Sequence, residues 1–308
     1  MRGSLLRMGL IALFWGSSFL WIKLALASLS PVQITFARLV LGGIVLLALC
    51  YWGGRRLPRD RRTWAHLVVA AFFGNALPFL LFAVGELTVP SGVAGMLNST
   101  TPLWALLIGI LLGTERDLRA VRITGLTLGF AGTLLIFAPW AAGGVASWGA
   151  LAILAAAVSY AISYTYIGRH LSGRAGAPVA LSAAQILTAT GITALALPAG
   201  GLAPVHWHVS GIVAVVVLGV FGTGLAFALN YRLIADEGAT QAATVGYLLP
   251  VVSVLLGALV LDEELSARVI AGMVVVLAGV ALTRVPRRAV PVPGAEPAPV
   301  AGVSGAAR

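Results

Sequence analysis

Arg38 is the residue of this chain with the most chemistry to offer. It lies inside the apolar run 31–52, about seven residues from its start, or roughly 10 Å below a membrane boundary at 1.5 Å per residue. A guanidinium at that depth has three uses: a buried structural joint, a site for a carboxylate or phosphate on a passing solute, or a side chain snorkelling to lipid head groups. Lys23 lies at a similar depth near the end of the run 6–28, with easier reach to head groups or to helix C-terminal carbonyls.

Other polar and aromatic groups lie in apolar runs too: Trp15 and Ser18, then Asn75, Asn98 and Trp104, then Tyr160 and Tyr164, Asn230 and Tyr247. Tyr160 and Tyr164 fall one turn apart on one helix face. An amide such as Asn98 in lipid must find a partner or a watery cavity. With Arg38 these ten are the candidate substrate-binding residues of a cavity for an amphipathic small molecule. The competing reading for each is an interfacial belt or a helix-to-helix hydrogen bond.

Catalytic and metal chemistry have little to stand on. The only lysine, Lys23, is followed by Leu24, so a Walker-type phosphate loop is excluded. His66, His170, His206 and His208 form no His-x-x-x-His pair, and Gly-x-Ser-x-Gly is missing. The acids fall at the ends of runs or between them, with Glu86 making the closest approach to the bilayer interior. The sequence therefore predicts no catalytic residue, metal ligand or cofactor, and no obvious proton carrier. That favours facilitated diffusion or exchange.

What must position these groups is set by composition. The chain is 59% apolar and 10% charged with mean hydropathy +0.99, against about 25% charged in soluble domains. Too few ions remain to cover a water-facing surface, so the solvent is lipid, and runs of about 20 residues without alternation predict helices. Ten spans follow: 6–28, 31–52, 65–86, 91–113, 119–139, 147–168, 177–198, 209–231, 238–261 and 267–285. The expected fold is an all-α integral membrane protein of ten transmembrane helices. The lone Cys50 excludes an internal disulfide.

The +10 net charge does not point to nucleic acid, because the basic residues cluster in short links between spans. With the N-terminus inside, inner segments hold 17 of the 20 basic residues and outer links only Arg268, so both termini are expected in the cytoplasm of a cell-membrane protein. Span 1 imitates a signal peptide, but its removal would leave nine spans, so it reads as retained. The stretch 286–308 has no helical period and reads as a disordered tail. The expected partners are the bilayer and a small-molecule substrate, with a homodimer left open.

The chain also repeats itself. Ser91 to Glu115 returns 148 positions later as Ala239 to Glu263, pairing Asn98 with Gly246, Pro102 with Pro250 and Gly109 with Gly257. The same offset pairs Gly74 with Gly222 and Phe79 with Phe227; one residue shorter, it pairs Gly125 with Gly272 and Gly132 with Gly279. Arg38 meets Gln185 and Lys23 meets Gly168, so neither cation is duplicated. Five spans per half is an odd number, so the second half must enter the membrane inverted. The acidic link Asp262 to Glu264 standing opposite the basic link at Arg116, Arg119 and Arg122 agrees. The small faces of spans 4 and 9, with Ala94, Asn98, Pro102, Ala105 and Gly109 and their mates Ala242, Gly246, Pro250, Ser253 and Gly257, suit close helix packing or a wall of the transport path, and one helix can serve both; Pro78, Pro102 and Pro250 are expected bending points.

Trp15 to Phe19, Phe36 to Leu39, Leu112 to Glu115, Leu248 to Val252 and Leu261 to Glu264 together resemble the EamA-type branch of the drug/metabolite transporter superfamily. The resemblance implies two EamA repeats, 5–139 and 146–285, and export of small metabolites such as amino acids. By the same resemblance, alternating access occurs around a cavity lined by spans 1, 3, 4, 6, 8 and 9. A membrane-embedded enzyme or a non-transporting scaffold are the other classes weighed.

Overall fold

In hydrocarbon a backbone amide has no water to bond, so an apolar chain satisfies itself as helix. The computed structural model describes residues 2–115, 118–138, 147–171, 178–261, 266–283 and 285, and among these there is no strand. The helices are α1 (Gly3–Ala25), α2 (Pro31–Trp52), α3 (Arg61–Gly85), α4 (Val93–Leu111), α5 (Ala120–Ile136), α6 (Trp148–His170), α7 (Pro178–Ala199), α8 (Val209–Glu237), α9 (Ala239–Val252) and α10 (Ala267–Thr283). Seven are long and apolar enough to cross a membrane, while α5, α9 and α10 are shorter apolar helices. Arg116, Arg174, Asp262 to Glu264 and the tail 286–308 lie outside the described residues, as do the side chains of Ser253 and Gly257.

Local signals start the helices. Ser30 and Gln33 form a reciprocal capping box before α2, and Asp60 accepts from the N–H groups of Arg62 and Thr63 before α3. The outer surface carries large apolar side chains, including Leu13, Ile44, Leu111, Leu195 and Val274. In water that surface would drive aggregation; in lipid it is the solvent-matched face.

Three helices expected to be continuous are interrupted. The helical path of α1 breaks at Ser17, between Gly16 and Ser18. That of α4 breaks at Ser99 and Thr100, directly ahead of Pro102, whose ring cannot continue the preceding turn. Asn98 O, the carbonyl that a residue-102 N–H would have bonded, accepts the Thr101 hydroxyl at 2.7 Å instead. In α9 the break is at Thr244, and Pro250 sits within an unbroken helix beyond it. The path thus breaks just ahead of Pro102, while it runs through Pro250 without a break. In α3 and α8 the path widens to π-helical turns at Phe72–Ala76 and Leu218–Leu225. The 148-residue offset maps the first of these inside the second, and such turns often mark functional sites.

The closest helix pair is α5 with α10. A Cβ on Gly125 would lie 2.7 Å from Gly279 O, and one on Gly132 would lie 2.8 Å from Gly272 O. As one index rises by seven the other falls by seven, so the two helices run antiparallel. Exchanging the halves (125 with 272, 132 with 279) turns each contact into the other.

Candidate functional site

The first polar group of the interior comes from α1. The Trp15 indole donates to Gly222 O at 2.9 Å, in the widened turn of α8, and Ser18 Oγ donates to Phe14 O at 2.8 Å. Arg38 comes from α2 and is 4% exposed, which removes the snorkelling option. Its Nε donates to Thr223 Oγ1 at 3.2 Å, and its guanidinium carbon lies 3.8 Å from the centre of the Phe79 ring.

The repeat equivalent is built the same way. Gln185 on α7, the mate of Arg38, donates to Asn75 Oδ1 at 2.6 Å, and Asn75 is the mate of Thr223 by the 148-residue offset. Gly222 lies under Ser18 and Arg38, while its mate Gly74 lies under Ser163 and Gln185. The difference is closure. Gln185 is completed by the Ala70 carbonyl and by the hydroxyl of Tyr231, which donates to Oε1.

Between these joints lies a partly open central cavity. It takes residues from α1, α2, α3, α4, α6, α7, α8 and α9. The expected lining helices are all present, and α2 and α7 each add one residue, Arg38 and Gln185. Aromatic rings form much of the wall. Phe82 stacks on Tyr160 with centroids 5.8 Å apart, Trp15 meets Phe227 edge-on at 5.6 Å, and the repeat mates Phe79 and Phe227 touch at 6.1 Å.

Of the ten candidate residues, seven line this cavity: Trp15, Ser18, Arg38, Asn98, Tyr160, Tyr164 and Asn230. Tyr164 donates to Asn230 Oδ1 at 3.3 Å. The other three are placed elsewhere. Asn75 is wholly buried and occupied by Gln185. Trp104 points its N–H back to Thr100 Oγ1 at 3.2 Å. Tyr247 is wholly buried with its ring where a Cβ on Gly129 would come within 2.7 Å. Period-3.6 reasoning places a residue on a face but not at a depth: Asn75 and Tyr247 are sealed in the packing, Trp104 is half-buried, and none of the three is in the cavity lining.

Residues not singled out also matter. Phe79 and Phe82 read as ordinary apolar positions, and only their contacts with Arg38 and Tyr160 reveal them. Lys23 Nζ donates to Glu86 O at 2.7 Å, the carbonyl just past α3, as a cation at a helix C-terminus should. Glu86 itself is fully buried, which its place at a span end did not predict. The small face of α4 is buried at Ala94, Asn98 and Ala105. The expectation of helix packing at Gly109 is corrected: a Cβ there would meet Glu115 Cβ at 2.9 Å, at its own helix end and not on a neighbouring helix.

A second, more polar space lies toward the other end, between α4, α6 and the start of α9, lined in part by Thr165, Arg169 and Gln241. There Arg122 grips Glu115 through two bonds of 2.9 and 2.8 Å, with 11% and 13% of the two side chains exposed. Arg122→Met removes both of these bonds from a mostly buried carboxylate, so it should destabilise by roughly 1–2 kcal/mol, below a fully buried pair because water is close. A thermal melt in detergent checks this, with Arg122→Met plus Glu115→Gln expected to recover part of the loss.

An all-helical, multi-pass membrane protein enclosing a central cavity is the class this fold and site define. The chain belongs to the EamA-like transporter family, whose sequence profile matches residues 3–138 and 147–285. It is 31% identical over 268 residues to the "uncharacterized inner membrane transporter YedA" of Escherichia coli strain K12, covering 82% of this chain and 81% of that protein. It is 26% identical over 273 residues to an "uncharacterized transporter" of Archaeoglobus fulgidus, covering 89% and 95%. A solved crystal structure with 23% identity superimposes with a TM-score of 0.75 over 92% of this chain and 97% of the other, a likeness of fold.

Proposed function

We propose that this chain is a secondary transporter of small amphipathic metabolites, such as amino acids or related compounds. It works by alternating access between two inverted repeats of five membrane-spanning helices each, with both termini cytoplasmic. The observation that carries this reading is the cavity itself: eight helices from both halves line it, and repeat mates Phe79 and Phe227 meet beside it. Mates can touch only near an axis that exchanges the halves. The antiparallel contact of α5 with α10 supports inversion, because mates related by such an axis run in opposite directions. The seven lining candidates serve as substrate contacts, and the breaks at Ser17, Ser99 and Thr244 are where the halves flex.

Cysteine accessibility tests this. Cys50 is a free, buried cysteine, and Asn98 and Gly246 line the cavity from mated positions. A Cβ on Gly246 would lie 3.6 Å from Pro102, an ordinary contact. In a Cys50→Ser background, Asn98→Cys and Gly246→Cys should each react with membrane-impermeant thiol reagents from either side of a vesicle. A transported solute should slow that reaction. Labelling confined to one side would remove alternating access.

A further inference from the structure

Arg38 is left incomplete. Its Nε bonds Thr223 and one face of its guanidinium rests on Phe79, and among the described residues Nη1 and Nη2 make no hydrogen bond. The side chain is buried and lines the central cavity. The polar atoms sealed away without a partner are Ser28 Oγ, Asn75 Nδ2, Glu86 Oε1, Ser182 Oγ and Tyr247 Oη, so the terminal nitrogens of Arg38 are not sealed and face the open space. A buried charge without a partner is costly unless something completes it. Its mate shows the contrast, because Gln185 is closed by Asn75, Ala70 and Tyr231.

The surroundings define what would complete it. Among the described residues no Asp or Glu lines the cavity, and Arg38 is the one cation there. Tyr160 and Glu86 are the titratable groups close enough to act on Arg38 electrostatically, but Glu86 forms no ion pair with it and stands outside the lining. Asn230 uses its carbonyl oxygen for Tyr164, leaving its NH2 group as a further donor, and the Asn98 side chain adds a second NH2 donor. The space therefore holds one positive charge with amide donors beside it, and the rest of its wall is largely apolar, with aromatic rings and the aliphatic Ile22, Ile167 and Leu249.

We infer that the central cavity takes an amphipathic organic monoanion, with its carboxylate on the terminal nitrogens of Arg38 and a flat apolar body among the rings of Trp15, Phe82, Tyr160 and Phe227. One cation suits one negative charge, and a guanidinium fork matches a carboxylate edge to edge. This rests on the transporter reading and names its substrate class.

The test uses the purified full chain with phenylacetate, phenylacetamide and phenethylamine, which share a ring and differ in charge. Phenylacetate should bind at least about tenfold more tightly than either, the worth of one charge-assisted hydrogen bond. Arg38→Gln should abolish that preference, bringing phenylacetate to the level of phenylacetamide in a protein that still binds both, a result that a merely structural arginine would not produce. Asn230→Asp, which places a carboxylate in the same space, should weaken phenylacetate by about tenfold and favour phenethylamine. If Arg38→Gln does not fold, the ranking in the unmodified protein and in Asn230→Asp decides. Equal binding of the three, a preference for the amine, or no binding by any of them overturns the anion site. Two-sided labelling at Asn98 and Gly246 would then leave the transporter reading standing. One-sided labelling with the predicted charge ranking would do the reverse.

Discussion

Gly279→Leu should remove most of the folded protein from a detergent extract. A Cβ at 279 would lie 2.5 Å from Gly129 N and 2.6 Å from Gly125 O. Both are backbone atoms of α5, so no rotamer change can relieve the overlap, and α5 must move away from α10. That movement also opens the Gly132–Gly272 contact one turn-pair along. In lipid, helices associate through close packing and not through exclusion of water, so the loss has no hydrophobic compensation. A cost of about 3 kcal/mol or more is expected, the upper range for overpacking. Gly9→Leu is the control: a Cβ there meets nothing within 4 Å and the residue is exposed on α1. Size-exclusion profiles and melting curves should separate the two. Identical behaviour would show that α5 and α10 are not in backbone contact. Gly109→Leu should fall between them, since it disturbs only the end of its own helix.

Gln185→Leu should have the next largest effect. It strands Asn75 and Tyr231 together, and neither has another side-chain partner among the described residues. Asn75 Nδ2 already lacks one, so the whole amide would be buried unbonded. Each stranded group costs about 1–3 kcal/mol, giving roughly 2–5 kcal/mol for the pair. The diagnostic is recovery. Gln185→Leu with Asn75→Leu and Tyr231→Phe removes every unmatched group and should regain much of the stability, because the penalty comes from orphaned polar atoms and not from lost bonds. A triple variant that melts no higher than the single would show that shape, not hydrogen bonding, holds α7 against α3 and α8.

The two predictions divide along what was legible in advance. The glycine pairs at 125, 132, 272 and 279 stand out as a spaced repeat, but which glycine faces which is a matter of helix direction and rotation. The Gln185 joint was invisible, because it links positions 110 and 46 residues apart on three helices. Its repeat mate Arg38 was legible, since a charge inside an apolar run demands an explanation wherever it lies. Asn75, Trp104 and Tyr247 have the same residue types as the cavity lining and were equally plausible. Type and face could not separate them from Asn98, Trp15 and Tyr164.

By itself the sequence determined the solvent, the helices and the twofold repetition, because each is written in local composition or in a constant spacing along the chain. It also marked Arg38 as exceptional. Only the tertiary structure decided which polar groups are consumed by one another and which remain open, since that depends on distances between helices far apart in sequence. Arg38 meets Thr223 across 185 residues, and that bond leaves its two terminal nitrogens unspent while the mate, Gln185, leaves none. A period along one helix cannot encode such a difference; the packing of eight helices around a shared space can.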